Sequence, residues 1–231
     1  MLFFDPRYLL FMIPGLIVIG LAQWKLRSAF GKYREIPNSR RLMGAQVAEL
    51  VMRSAGVYDV GIEPIPGELT DHFDPRAKVL RLSEPVYSST SLAAMAVAAH
   101  EAGHAVQQHV GYAPLVARSG LVPLVNIGSS LGWIAILAGL FLQFTGLAWI
   151  GVILFASATL FALVTLPVEY NASARARQLL ESSGLVSPAE VNDVRTMLNA
   201  AAYTYVAGFA ASFLQLLYYV MLVSGMSRRE D

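Results

Sequence analysis

The chain has 231 residues, of which 55% are hydrophobic and only 14% charged, with a net charge of +1 and no cysteine. A soluble domain usually carries about 25% charged residues, so a wholly soluble protein is excluded, and the near-neutral balance excludes a nucleic-acid partner. Without thiols there is no disulfide framework and no thiolate metal site, so any metal must take nitrogen and oxygen donors; the same lack fits a reducing compartment.

The first predicted element is the apolar run Tyr8–Trp24, about the minimum that crosses a bilayer. Asp5 and a single Arg7 make a poor signal-peptide start, so the run reads as an uncleaved anchor. Lys25, Arg27, Lys32, Arg34, Arg40 and Arg41 crowd behind it, which places that side in the cytoplasm and the N-terminus outside. Arg40–Ala55 predicts a helix stopped by Gly56. Two strand-like runs follow, "VYDVGIEPI" and "AKVLRLSE", joined by turn-rich sequence. The "SSTS" cluster at 88–91 supplies caps for a helix from Ser91 to about His109.

From Ser119 to Val168 there is no Asp, Glu, Lys or Arg. Two spans, Gly120–Gln143 and Gly146–Val168, read as a helical hairpin. A helix Tyr170–Ser182 ends at Gly184, and "SPAE" at 187–190 starts another, with Ser187 as cap, Pro188 in the first turn and Glu190 closing a capping box. Ala202–Ser224 is the fourth span, with Tyr203, Tyr205, Tyr218 and Tyr219 as interfacial anchors. Its direction leaves the C-terminus outside, against the weak signal of Arg228 and Arg229.

Two of the four histidines lie in "AAHEAGHAVQ". Helical residues four apart differ by about 40° around the axis, so His100 and His104 share a face and can hold one zinc ion. Glu101, rotated by about 100° from His100, is placed to act on a water rather than to ligate. The bland alternative is a chance pair of core histidines. A third ligand is needed, and Glu169 is the candidate: it is the first charged residue after fifty uncharged ones. A hairpin of two spans packed roughly 8–10 Å apart returns the chain near its start and so brings Glu169 beside the histidines. Its alternative role is a carboxylate marking a span end.

The segments "DHFDPRAKVLRLSEPVYSSTSLAAMAVAAHEAGHAVQ" and "LPVEYNASARA", with "AQWKLRSAFGKY" and "AAYTYVAG", resemble the YugP-like zinc-dependent membrane metallopeptidases of bacteria over nearly the whole chain. The resemblance implies a gluzincin-type site with one zinc per chain: His100, His104 and Glu169 as ligands and Glu101 as catalytic base. Distant relatives of the HtpX-like and CAAX types carry Asp where this chain has Ser173, which puts a charged supporting role there in doubt.

The fold expected is mainly α: a polytopic membrane protein with about four transmembrane helices and a small α+β zincin-like cytoplasmic metalloprotease domain. Residues 1–24 form the anchor, 25–114 a cytoplasmic α+β segment, 115–168 the hairpin, 169–201 cytoplasmic helices carrying Glu169, and 202–231 the last span and tail. The expected function is zinc-dependent endopeptidase action on membrane-associated proteins or peptides, at the cytoplasmic face of the bacterial plasma membrane. Val79, Leu80, Arg81 and Leu82 form a candidate substrate-pairing edge strand, its alternative an ordinary interior strand. His72 is a candidate oxyanion or substrate contact, its alternative a turn residue bonded to Asp71 or Asp74. Tyr87 and Tyr112 are further electrophile candidates, Asn126 and Gln143 candidates for bonds across helices, and Arg175 and Arg177 candidates for a substrate carboxylate or lipid phosphate, their alternative a lipid-facing or solvated arginine. Gly128, Gly132 and Gly139 leave room for close packing in a homo-oligomer or membrane complex.

Two other functions compete. A zinc-stabilised scaffold would fill the fourth metal position with a protein group such as His72. A site-2-type intramembrane protease would place the histidines within a span and use a distant Asp, but no Asp-Gly dipeptide occurs in the chain.

Overall fold

A computed structural model describes residues 6–230, with side chains to residue 226. Asp5 and the side chains of Arg228 and Arg229, used above to read the termini, lie outside the described residues. The order is α1 (Pro6–Tyr33), α2 (Gly44–Ser54), β1 (Gly61–Ile65), β2 (His72–Asp74), β3 (Val79–Ser83), α3 (Glu84–Tyr87), α4 (Leu92–His109), α5 (Ala113–Phe141), α6 (Thr145–Ser182) and α7 (Val191–Glu230). The protein is mainly helical, and α1, α5, α6 and α7 are each long and apolar enough to cross a membrane. α6 and α7 run unbroken through positions where the sequence suggested separate helices: nothing at 168–170 or 200–202 stops them, and Pro167 is accommodated inside α6.

The chain divides into two compact units. The first comprises residues up to Ala22, Ala117–Leu166 and Thr204 onward. Its α5 and α6 form the expected hairpin, and glycines set their separation. A Cβ on Gly132 would stand 2.8 Å from the Phe155 nitrogen and 2.9 Å from the Gly151 oxygen. One on Gly128 would stand 2.6 Å from Ser157 Oγ. The glycines expected to serve a second copy are therefore spent on α6. Tyr218 and Tyr219, expected at an interface, are instead buried. Their rings meet Tyr8 and Phe155 at 5.2 and 5.0 Å, and the Tyr219 hydroxyl is satisfied by Gln215. Asn126 is exposed, and Gln143 takes φ +54° in the turn after α5, so neither is buried between helices.

The second unit comprises Gln23–Val116 and Pro167–Tyr203. Its core joins Phe30 and Tyr33 of α1, Val47 and Val51 of α2, Leu80 and Leu82 of β3, Met95 and the alanines of α4, Leu180 of α6 and Met197 of α7. α2 starts four residues later than expected because Asn38 captures the preceding segment: its side chain bonds both the N–H and C=O of Leu42 and reaches the Thr90 carbonyl. Gly56 ends that region at φ +79°, a conformation that glycine adopts without penalty. Ser91 caps α4 by accepting from the Ala94 N–H at 3.1 Å.

The sheet order is β1-β3-β2, with β1 parallel and β2 antiparallel to β3. β3 is thus the central strand, and the candidate edge role of Val79, Leu80, Arg81 and Leu82 is overturned. Pairing with β1 engages Val79–Ser83 on one side, and pairing with β2 engages Val79–Arg81 on the other. His72 lies on β2 rather than in a turn, since the turn begins only at Asp74, whose carboxylate accepts from the N–H groups of Arg76 and Ala77. Its Nδ1 sits 2.9 Å from the Thr70 carbonyl, not against Asp71 or Asp74.

Candidate metal centre

α4 is lined with alanine on nearly every face, and Ala93, Ala94, Ala96, Ala98, Ala99, Ala102 and Ala105 are all buried. Side chains this small let other elements come close to its backbone. Closest is α6 at Gly103, where an added Cβ would meet the Ala172 carbonyl oxygen at 2.7 Å. Ala172 is three positions beyond Glu169 on α6, nearly one helical turn, so the contact holds the carboxylate level with the histidines.

His100, His104 and Glu169 form a buried cluster whose donor atoms all lie within 4.8 Å of one another. Glu169 Oε2 is 3.1 Å from His100 Nε2 and 3.4 Å from His104 Nε2. Ligands about 2.0–2.1 Å from a tetrahedral zinc ion are about 3.3 Å apart. The two carboxylate–imidazole spacings therefore match those of ligands to one zinc ion, and the nitrogen and oxygen donor set suits it. Glu169 is 2% exposed, and a carboxylate so buried is costly unless a cation or donor faces it.

Each imidazole is also held from behind. His100 Nδ1 is 3.1 Å from Ser173 Oγ, so the serine that stands in the place of an aspartate does contact the ring, with a neutral group. His104 Nδ1 is 2.9 Å from Gln107 Oε1. Gln107 Nε2 donates to the Val168 carbonyl at 2.7 Å and to Asn171 Oδ1 at 3.0 Å. Asn171 Oδ1 accepts in turn from Arg175 Nε at 2.7 Å. Arg175 is thus part of the site's surroundings rather than a lipid or solvent contact, with its guanidinium over the Tyr112 ring at 5.9 Å. Arg177 pairs with Glu181 at 3.7 Å. Gln107 and Asn171 were missed by sequence reasoning. The available signal was a polar residue one turn beyond His104, on the same face of an otherwise apolar helix.

Burial pushes the Glu101 carboxyl up from the ordinary range, His100 and His104 pull it back, and Glu169 and Asp71 add to the rise. His104 is held above the usual imidazole range: burial opposes its charge, but Glu169 and Glu101 outweigh it. Asp71, just before β2, is raised by burial although it accepts from the Ser83 N–H and hydroxyl. Neither His72 nor His109 belongs to the metal-type cluster among the described residues. Tyr87 packs on the core, and the Tyr112 hydroxyl is 3.5 Å from the Pro167 carbonyl. α4 is not among the candidate membrane spans, and its apolar side chains belong to the core of the second unit.

A family model described as "Putative neutral zinc metallopeptidase" matches residues 8–224. A relative from Bacillus subtilis (strain 168), "Putative membrane protease YugP", is 43% identical over 217 residues, covering 93% of this chain and 96% of that one. No solved structure matches the chain.

Proposed function

The chain belongs to this zinc metallopeptidase family, and from that premise we propose that it is a membrane-embedded zinc endopeptidase of gluzincin type, its site facing the cytoplasm. The observation that carries the reading is the meeting of His100, His104 and Glu169 at the spacing of zinc ligands. Bound there, zinc supplies a polarised peptide carbonyl and a water acidic enough to react near neutral pH.

The protein's own residues do the rest. His100, His104 and Glu169 would hold the ion. Glu101, one residue beyond His100 on α4, takes the water's proton as its oxygen joins the carbonyl carbon. It then hands that proton to the amine nitrogen as the peptide bond breaks, so the carboxylate is restored.

A substrate strand requires a free sheet edge. β2 is the edge strand that bears the exposed His72 and adjoins Asp71, which lies near enough to act on Glu101. An extended peptide added to β2 would pair by backbone hydrogen bonds, with His72 as its contact. The cytoplasmic orientation is supported by Lys25, Arg27, Lys32, Arg34, Arg40 and Arg41, which all lie in the same unit as the metal-type cluster.

The test uses purified full-length protein in detergent, assayed for zinc content and for peptide hydrolysis. Wild type is expected to hold one zinc per chain and to cleave. Glu101→Gln is expected to keep the zinc and lose cleavage. Full activity in that variant, or a wild type that takes up no zinc, would reject the reading. Mass spectrometry of membrane proteins that accumulate with Glu101→Gln would then identify the substrates.

A further inference from the structure

We infer that Gln107 is a positioning residue that fixes which nitrogen of His104 faces the metal, through a hydrogen-bond chain anchored at Arg175 and the Val168 carbonyl. This rests on the zinc reading above and names a residue outside the ligand set.

The direction of the chain follows from groups that can act in only one sense. The Val168 carbonyl can only accept, so the atom of Gln107 facing it at 2.7 Å must be the amide nitrogen. Arg175 Nε can only donate, so Asn171 presents its oxygen to it at 2.7 Å. That same oxygen takes the second hydrogen of the Gln107 amide at 3.0 Å. Both hydrogens of Gln107 are now assigned, and its oxygen is left facing His104 Nδ1 at 2.9 Å. An amide oxygen there accepts, so Nδ1 carries a proton whether the ring is neutral or charged. In the neutral ring, the lone pair then falls on Nε2, the nitrogen that faces Glu169 Oε2 at 3.4 Å.

Gln107 is fully buried, and a rotated amide would set its oxygen against the Val168 carbonyl with no water to intervene. The lock is therefore one-sided. His100 differs: its Nδ1 meets a serine hydroxyl, which both donates and accepts and imposes no direction. The site thus has one ligand pre-set before metal arrives and one that adapts to it.

A merely structural Gln107 would tie α4 to α6 and nothing more, and two variants separate the roles. Gln107→Met removes the acceptor and both donors at similar volume. Gln107→Glu keeps an acceptor for Nδ1 and loses the donors to α6. Zinc affinity is measured on the full-length protein in detergent by competition with a chelator. Loss of such an outer partner commonly lowers metal affinity 10–100-fold. That fall is expected for Gln107→Met, with Gln107→Glu recovering part of it, since its second oxygen then faces the Val168 carbonyl. Equal losses in both variants would make the tie to α6 the cause and overturn the inference, as would wild-type affinity in Gln107→Met. Should Gln107→Met fail to fold, nitrogen-15 spectra of wild-type His104 before zinc is added, taken at a pH where the ring is neutral, decide: a proton on Nδ1 supports the lock, and one on Nε2 defeats it. A wild type that binds no zinc sinks the zinc reading itself; failure confined to the variants sinks only this inference.

Discussion

Gly103→Ala asks whether the metal centre depends on how closely α4 and α6 approach. The new Cβ would stand 2.7 Å from the Ala172 carbonyl oxygen, about 0.7 Å short of the 3.4 Å at which ordinary contact begins. The obstacle is backbone, so no side-chain rotation relieves it, and α6 must retreat. Glu169 lies three residues away on that helix and moves with it. Zinc sites hold their ligand distances within about 0.2 Å, so a retreat of that size pulls the carboxylate out of bonding range. Two effects on stability oppose each other. Alanine in mid-helix favours α4 by about 1 kcal/mol, and overpacking costs about 1–3 kcal/mol. The fold is therefore expected to survive with a loss of at most about 2 kcal/mol. Activity suffers more, because misplacement by about 1 Å can cost about a hundredfold in rate. Zinc affinity should fall at least tenfold by chelator competition, and cleavage roughly a hundredfold. Gly20→Ala serves as control, since nothing lies within 4 Å of its added Cβ. Wild-type affinity and rate in Gly103→Ala would refute the claim that this contact holds the ligands together.

Removing zinc with a chelator should lower the melting temperature, since a ligand at a thousandfold excess over its Kd stabilises by about 4 kcal/mol; an unchanged melting curve after verified metal loss would count against a site built into the fold. Glu190→Gln should destabilise by about 2–3 kcal/mol, because the buried carboxylate accepts from the N–H and hydroxyl of both Ser187 and Ser39. Burial alone would raise its pKa, and these donors outweigh that and lower it. A lowered folded pKa means the stabilisation is full above the ordinary value of 4.5 and is lost as the pH falls below it. Melting scans from pH 7 to pH 3 should therefore slope less steeply in Glu190→Gln, and parallel curves would contradict the assignment. Gly132→Leu should lower the yield of folded protein in membranes, because even a Cβ there meets the Phe155 nitrogen at 2.8 Å; normal yield and normal melting would show that the hairpin does not need the close approach.

Signals spread over long windows or tied to local chemistry were legible in the sequence. The four apolar runs appear as four membrane-length helices. Ser91 and Gly56 act where expected, because a cap and a left-handed stop depend only on neighbouring backbone. The sheet was harder. β2 has three residues within a segment rich in aspartate, and Asp74 gives the same turn signal whether or not a strand precedes it. The central place of β3 is a statement about which chains lie on either side, and alternation along one strand carries no such information. The "SPAE" signal was partly transformed: Glu190 does fold back on Ser187, but it also takes Ser39, 151 residues away, and α7 begins only at Val191.

The metal-type cluster sits between these cases. His100 and His104 come from helical spacing alone, whereas Glu169 requires the chain to return across fifty uncharged residues. It could be anticipated because a charge is conspicuous against such a background. Gln107 offered only its place one turn beyond His104, and Asn171, well inside α6, offered nothing. Their role emerges only when α6 supplies the Val168 carbonyl and Arg175. The same packing explains why ion and fold should be linked. Glu169 is buried against two imidazoles, and its charge helps His104 hold a proton more tightly than an ordinary imidazole does. Zinc held as proposed would join two ligands on α4 to one on α6, so the energy of metal binding would appear as stability of the unit that holds the site.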